Sequence, residues 1–230
     1  MRFNDFVNAM SLESPVVRGA DLADRLGRLS VTETTLVFEG AVWDVRRDTV
    51  DLGEAGEVSR DYVDHPGAVA ILALREVEGR DQVLLIWQYR HPVGAFEWEL
   101  PAGLLDVAGE PPWLGAAREL DEEADLTAGR WDVLIDFYGS PGGNSEALRI
   151  YLARDLADVP HGERFTREGE EHGMPVGWVD LDEAHEAVLG GQLHNPCAMI
   201  GILTAHAARA RDWATLRPHD APWPEHPLRH

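Results

Sequence analysis

A proline-bounded helix behind a glycine-rich loop restricts the fold of this chain more than any other sequence feature. Because proline is favoured in a first turn, the helix is predicted to begin after Pro111 and Pro112 and to extend to residue 126. Glu119, Glu122 and Glu123 are spaced by three and four residues, which places them on one face. The opposite face is expected to pack on a core through Leu114, Ala117, Leu120 and Ala124.

The three glutamates of this face, called here the carboxylate face, have two interpretations. Like charges at such spacings cost a few tenths of a kcal/mol per pair, so a helix that needs only solubility would mix the signs. Carboxylate oxygens are the ligands that Mg²⁺ prefers, and Mg²⁺ usually binds together with a substrate phosphate. Taken alone, the pattern favours a solvated acidic face, and the residues around it decide between the two.

Those residues match a longer pattern. Seven residues separate Glu110 from Arg118, the carboxylate face follows within residues 119–123, and Leu126 ends the match. This arrangement resembles the signature of the Nudix hydrolases, G-x5-E-x7-R-E-U-x-E-E-x-G-U with U aliphatic. The resemblance favours the metal site and implies an α/β (α+β) fold, a Nudix-type α/β/α sandwich with a mixed sheet.

The match has two departures. Gly103 and Glu110 enclose six residues where the signature has five, so the loop is one residue longer. Asp125 stands where the signature has its last glycine. A longer loop costs little if it bulges, and Asp is among the few residues that tolerate the left-handed conformation of a helix end.

Further segments resemble one branch of the family, the ADP-ribose pyrophosphatases. They are residues 88–90, 92–94, 98–103, 140–143 and 145–146. The resemblance implies hydrolysis of ADP-ribose to AMP and ribose 5-phosphate by water. It also implies a homodimer in which an N-terminal antiparallel sheet is exchanged and adenine lies at the interface. It implies Mg²⁺ as the cofactor, and Mn²⁺ also takes oxygen ligands.

The resemblance assigns roles to individual residues. The implied metal ligands are the Ala102 carbonyl and the carboxylates of Glu119, Glu122 and Glu123, with Glu122 and Glu123 counted as catalytic. The implied substrate contacts are Arg90 at the diphosphate, Arg60 from the other subunit, Glu146 at the terminal ribose, and Trp43 or Phe38 at adenine. Arg118 is expected to orient the glutamates through ion pairs.

An acidic, glycine-containing loop at residues 167–173 precedes a predicted strand. Such a loop suits closure over bound substrate and delivery of a general base, although a solvated acidic loop has the same composition. Glu168, Glu170 and Glu171 are all candidates for the base, and Glu168 or Glu171 is favoured over Glu170.

Composition excludes several other functions. The net charge of −21 argues against nucleic-acid binding. All 20 basic residues are arginine, which excludes a P-loop lysine and a Schiff-base lysine. Cys197, as the single cysteine, permits no internal disulfide and is expected to be a packed small residue. No apolar run suggests a membrane span or a signal peptide, and we expect a cytoplasmic protein.

The order of the predicted elements, several strands interrupted by one central helix and closed by a C-terminal helix, suggests an α/β sandwich with mixed strands. It also divides the chain into three parts. Residues 1–64 are expected to contain the small antiparallel sheet, with strands near 35–38, 41–45 and 57–63. Residues 65–213 are expected to form the hydrolase domain, and residues 214–230 an irregular arm or disordered end. The last helices are predicted at 182–189 and 195–213. His65, His91 and His172 match no metal spacing, and a surface or loop position is expected for each.

Two other functions compete with ADP-ribose hydrolysis. A Nudix hydrolase of another nucleoside diphosphate sugar would have the same carboxylate face. A domain that only senses ADP-ribose would be expected to have damaged glutamates or an attached DNA-binding region. The intact carboxylate face favours the hydrolase.

Overall fold

The structure is a computed structural model that describes residues 12, 14, 16–162, 164–167 and 173–226. A small antiparallel sheet lies first in this part of the chain. Its strands, in spatial order, are β1 (Val31–Phe38), β2 (Asp44–Asp51) and β3 (Glu57–Asp64). This confirms the predicted N-terminal sheet, but the strand expected at 41–45 was wrong. A Cβ at Gly40 would lie 2.0 Å from the Trp43 carbonyl oxygen, so the chain turns tightly there and β2 begins only at Asp44.

A mixed sheet of eight strands forms the centre of the described molecule. Its strands are β4 (Ala68–Val77), β5 (Arg80–Arg90), β6 (Ala95–Glu99), β7 (Ala102–Leu104), β8 (Leu126–Tyr138), β9 (Ala147–Asp158), β10 (Val176–Asp180) and β11 (Arg217–Pro218). The spatial order is β10-β5-β4-β9-β8-β11, with β6 paired to β5 and β7 paired to β4. The helices are α1 (Pro112–Ala124), α2 (Leu181–Leu189) and α3 (Pro196–Arg209).

Strand β4 shows why the sheet is covered on both faces. Its first seven residues are buried, and successive side chains point to opposite sides of a strand. Leu72 and Leu74 belong to the core cluster that contains residues of α2 and α3, whereas Val69 and Ile71 belong to the cluster that contains residues of α1. The predicted α/β/α sandwich with a mixed sheet is therefore confirmed. No helix in the described residues is long and apolar enough to cross a bilayer.

Helix α3 ends earlier than its apolar sequence suggests. It was predicted to extend to residue 213, but it ends at Arg209. Asp212 and Trp213 have φ angles of 52° and 60°, in the left-handed region. A right-handed helix cannot include this conformation, so the chain turns away.

The C-terminal residues pack against the large sheet instead of forming a free arm. Residues 217–218 pair with β8 as a short strand, and Trp223 is buried. The buried Arg149 side chain donates hydrogen bonds to the carbonyl oxygens of Ala221 and Pro222 at 2.8 and 3.3 Å. Of the two expectations for the tail, the disordered end is wrong for residues 217–226, whereas residues 219–226 are irregular as expected, without helix or strand. The sequence pattern does not show that an arginine of β9 binds these carbonyls. Residues 227–230 lie outside the described part.

The small sheet is joined to the large one at the end of β3. The Val63 N–H donates to the Gly143 carbonyl at 3.0 Å, and the Ser145 N–H donates to the Val63 carbonyl at 3.0 Å. His65 follows β3 directly, so its backbone lies at the junction of the two sheets.

Candidate functional site

Strand β7 presents a backbone edge to the carboxylate face. Ala102 stands opposite Ala70, between residues whose backbones are bonded across the two strands, such as Ile71 N–H to Pro101 O at 2.8 Å. In an antiparallel pair, the N–H and C=O of such a residue point away from the neighbouring strand. The Ala102 N–H accordingly donates to Glu123 Oε2 at 2.9 Å. The Ala102 carbonyl points to the same side.

Glycine at position 103 allows Glu119 to cross the strand. A Cβ there would lie 2.0 Å from the Glu119 Cδ and 2.1 Å from its Oε1. The side chain of Glu119 therefore lies against the backbone of β7. The loop glycine and the helix glutamate are thus matched in shape, which their sequence spacing alone does not show.

The burial of α1 corrects the expected apolar stripe. Leu120 is buried as predicted, but Leu114 is 41% exposed and Glu123 is only 6% exposed. The reason is that β7 and its following loop pack on the side of the helix that carries the glutamates. The carboxylate face is therefore not a solvated surface, since one of its members is buried with a backbone donor.

Arg118 links the acidic residues of this region. Its Nη1 lies 2.6 Å from Glu119 Oε1 and 3.2 Å from Glu122 Oε2, and its Nη2 lies 3.3 Å from Glu110 Oε2. Burial acts to lower the pKa of Arg118, but its bonds to Glu110 and Glu119 raise the pKa overall. The orienting role expected for Arg118 agrees with this geometry.

The residues of this region suit a divalent cation by their chemistry. Glu119, Glu122, Glu123 and the Ala102 carbonyl offer only oxygen donors, as Mg²⁺ and Mn²⁺ prefer. Among the described residues, no three His, Cys, Asp or Glu side chains are already gathered around one point. Arg118 holds two of the glutamates in the positions seen. Because Gly103 has no Cβ, the Glu119 side chain can lie close to the backbone edge of β7.

Asp125 can replace the last glycine of the signature at the end of the helix. It adopts φ 53° and ψ 37°, the left-handed cap that glycine usually provides. Its carboxylate lies 3.0 Å from Arg167 Nη2, and the Arg167 Nε donates to the Glu122 carbonyl at 2.7 Å. Asp125 therefore retains the turn and attaches the start of the 167–173 loop to α1.

A second group of candidate residues lies around the N-terminus of α3. Arg90 donates two hydrogen bonds of 2.7 Å to the buried Glu99, while its own side chain remains 43% exposed. Burial, together with the charges of Glu146 and Glu99, raises the pKa of the Cys197 thiol to about 12, while Arg90 acts to lower it. Cys197 is thus a packed, protonated residue as expected. The charges of Arg90, Glu99 and Glu146 all act on this thiol at the start of α3.

Glu146 has a histidine neighbour that the sequence did not indicate. His65 was expected in a surface or loop position, but it is 4% exposed, and its Nε2 lies 3.3 Å from Glu146 Oε1. The Trp43 ring stacks on the imidazole with the centroids 4.2 Å apart. Trp43 therefore has one partner already, and its predicted stacking on adenine stays a prediction. His91 lies in an exposed turn, as expected.

The remaining predicted residues are not brought to this site within one chain. Arg60 lies on the exposed part of β3, and its Nη1 donates to the neighbouring Ser59 carbonyl. Phe38 is exposed at the end of β1. The base candidates Glu168, Glu170 and Glu171, together with His172, lie outside the described residues.

Sequence reasoning missed three contributors, which are Glu99, His65 and Arg167. Each acts on a residue distant in sequence, through a bond that no local spacing reveals. A buried acidic residue next to an arginine-bearing strand could have indicated Glu99, since buried charges are paired.

Replacing Gly103 with alanine tests the close approach of Glu119. The new Cβ would overlap the Glu119 carboxylate, and overpacking costs about 1–3 kcal/mol. We expect the free energy of unfolding in urea to fall by about that amount. Gly162→Ala is the matched control, since a Cβ there meets nothing within 4 Å. Equal stability of the two variants would show that Glu119 does not lie over this glycine.

Comparison with known proteins gives a consistent family. The Nudix domain profile matches residues 64–195. The ADP-ribose pyrophosphatase of Mycobacterium tuberculosis is 44% identical over 188 residues, which cover 82% of this chain and 87% of that protein. The ADP-ribose pyrophosphatase of Bacillus subtilis is 38% identical over 159 residues, which cover 69% of this chain and 82% of that protein.

A solved structure supports the fold independently. The crystal structure of an ADP compounds hydrolase superposes with a TM-score of 0.66 at 17% identity, covering 82% of this chain and 98% of that one. At this identity the likeness concerns the fold alone. The profile match and the two relatives make the assignment: the chain belongs to the Nudix hydrolase family, in the group of the ADP-ribose pyrophosphatases.

Proposed function

We propose that this chain hydrolyses the diphosphate of ADP-ribose to AMP and ribose 5-phosphate with the help of Mg²⁺, or Mn²⁺ in its place. The observation that carries the proposal is the carboxylate face of α1, held against the backbone edge of β7. Relatives named ADP-ribose pyrophosphatase are 44% and 38% identical to this chain over 188 and 159 residues.

The chain's own residues supply the surroundings of the reaction. Glu119, Glu122, Glu123 and the Ala102 carbonyl would hold the cation, which would neutralise phosphate charge and acidify a water molecule. The Ala102 N–H fixes the Glu123 carboxylate, and Arg118 orients Glu119 and Glu122. Water then attacks one phosphorus, the bridging P–O bond breaks, and the proton of the water passes to a base.

The second group of candidate residues, around the N-terminus of α3, would position the substrate. Arg90 is held by the buried Glu99, yet its exposed side chain can still approach a diphosphate oxygen. Glu146 would offer carboxylate oxygens to the hydroxyls of the terminal ribose. Of the two aromatic candidates for adenine, Phe38 is exposed, whereas Trp43 is stacked on His65 beside Glu146, at the proposed sugar end.

The loop that carries the base candidates starts beside the carboxylate face. Arg167 binds the carbonyl of Glu122 and the carboxylate of Asp125. Glu168 follows Arg167 directly in the sequence. Glu168 or Glu171 is the proposed residue that receives the proton of the attacking water.

A homodimer is the proposed assembly, and exposed aromatic surface supports it. Trp87, Phe96 and Trp98 form a stacked group on β5 and β6, and Phe96 is 62% exposed. All eight residues of β1 are exposed as well. Apolar surface of this kind marks interaction sites. A partner seated there would bring its Arg60 to the site.

Mixing two variants tests the shared site. Arg60→Ala is expected to raise KM, and Glu123→Gln is expected to lower kcat. In a dimer of one chain of each kind, one site retains both residues. At ADP-ribose concentrations well below the raised KM, random mixing is expected to give up to about a quarter of the wild-type rate. Glu119→Gln mixed with Glu123→Gln is the control, because both residues belong to the same α1 and no intact site forms. Absence of rescue in the first mixture would contradict the exchanged arrangement.

Substrate choice is tested by product analysis against a panel with Mg²⁺. The panel contains ADP-ribose, other nucleotide sugars, dinucleotides and a nucleoside triphosphate. We expect ADP-ribose to give the highest kcat/KM, with AMP as the nucleotide product. A higher kcat/KM for another nucleotide sugar would replace the substrate but retain the reaction. Binding of ADP-ribose without any turnover would favour a sensing domain.

A further inference from the structure

His65 is a buried histidine that belongs to none of the sequence motifs. The structure shows the neighbours of both of its ring nitrogens. Its Nδ1 accepts the Gly67 N–H at 3.0 Å, and its own backbone N–H donates to Ser145 Oγ at 2.9 Å. Its Nε2 lies 3.3 Å from Glu146 Oε1. The ring therefore bridges the end of β3 and the start of β9.

These contacts select one tautomer of the imidazole. Because Nδ1 accepts a hydrogen bond from a backbone N–H, the single proton of the neutral ring must sit on Nε2. Nε2 is the nitrogen that faces Glu146. Burial lowers the pKa of His65, which favours the neutral ring, and burial raises the pKa of Glu146.

The surroundings leave both groups little freedom to move. Trp43 covers one face of the His65 ring, with the two planes 21° apart. The other oxygen of Glu146 lies over Gly139, where a Cβ would come within 2.7 Å of Oε2. The Glu146 N–H donates to Asn144 Oδ1 at 2.9 Å. Glu146 is thus held by its backbone and by the close approach to Gly139, and its Oε1 faces the His65 Nε2 at 3.3 Å.

We propose that His65 is a positioning residue that holds the Glu146 carboxylate through its Nε2–H. Recognition of the terminal sugar then depends on the Trp43–His65–Glu146 stack, in which the Trp43 ring covers the imidazole and the imidazole faces Glu146. One oxygen of Glu146 binds His65, which leaves the remaining acceptor positions of the carboxylate for sugar hydroxyls. Since Trp43 precedes β2 and His65 follows β3, the stack also ties the small sheet to the sugar end of the site. This proposal rests on the proposed function, which places the terminal ribose at Glu146.

The test is a double-mutant cycle read with two substrates. His65→Phe retains a ring beside Trp43 but removes the donor, and His65→Gln retains an N–H donor. His161→Gln, at an exposed histidine, is the control. Rates are measured with ADP-ribose and with an analogue whose terminal ribose lacks a hydroxyl. We expect His65→Phe to lower kcat/KM for ADP-ribose by about tenfold or more, in the range seen when an outer partner of a site residue is removed.

The pattern of the losses identifies the role. The loss should be smaller for the deoxy analogue, smaller in His65→Gln, and absent when His65→Phe is added to Glu146→Gln. Equal losses for both substrates, or full additivity with Glu146→Gln, would overturn the positioning role, because a purely structural effect does not depend on Glu146.

A second measurement does not depend on activity. Imidazole ¹⁵N shifts of the wild-type protein at pH 7 should show His65 neutral with its proton on Nε2, and Glu146→Gln should shift that nitrogen. A protonated ring or a proton on Nδ1 would overturn the proposal even if ADP-ribose is hydrolysed. If no ADP-ribose is hydrolysed, the proposed function fails, and the ¹⁵N result alone decides whether His65 and Glu146 are bonded.

Discussion

Glutamine in place of Glu123 is expected to lower kcat with Mg²⁺ by about two to three orders of magnitude, the loss typical when a charge-stabilising group is removed. Glu123 is buried on α1, and its Oε2 accepts the Ala102 N–H. The glutamine amide can still accept this bond through its oxygen, so the fold should persist. It cannot supply the negative charge that a cation requires. Steady-state kinetics with a thermal unfolding curve measure both effects.

Glu183→Gln is the matched control for this change. Glu183 is an exposed glutamate in the first turn of another helix, α2, and its loss removes the same charge from the protein. Its kcat should equal that of the wild type. Near-wild-type activity of Glu123→Gln with Mg²⁺ would contradict the assignment of Glu123 as a metal ligand.

Single glutamine substitutions in the 167–173 loop are expected to give one severe loss among three positions. A general base contributes about 10²–10⁴-fold to the rate, so its replacement should lower kcat by about that factor. We expect Glu168 or Glu171 to be this position and Glu170 to show a small effect. The variants are compared at equal Mg²⁺ and saturating ADP-ribose, so that the comparison reports kcat.

The other two loop glutamates serve as internal controls, since all three substitutions make the same change of charge. Equal and small losses at the three positions would mean that the base lies on another segment. A severe loss in Glu170→Gln would retain the base loop but reverse the order expected within it.

The local part of the site could be predicted because it depends on short spacings. The interval from Glu119 to Glu123 fixes a common helix face whatever the helix packs against. The end of the helix also depends on local sequence, since the backbone of Asp125 adopts the left-handed turn that the signature requires. The fold class followed from the order of strands and helices.

The non-local part could not be predicted in the same way. The apolar stripe was misplaced at Leu114 because periodicity shows which residues share a face, but not which neighbour covers that face. Glu123 is buried by β7, which is separated from the helix by the loop of residues 105–111. His65 is separated from Glu146 by many residues, and only the pairing of Val63 with residues 143 and 145 brings them together. The C-terminal segment is similar, since Arg149 binds it from β9.

Hydrolysis of ADP-ribose in ¹⁸O-labelled water is the measurement that tests the central claim most directly. The purified protein is incubated with ADP-ribose and Mg²⁺, and the masses of the products are measured by mass spectrometry. We expect AMP and ribose 5-phosphate in equal amounts, one ¹⁸O atom in one of the two phosphates, and no product when a chelator removes the cation. Intact ADP-ribose after incubation with Mg²⁺, or products formed equally well with the chelator, would contradict a metal-dependent pyrophosphatase built on the carboxylate face of α1.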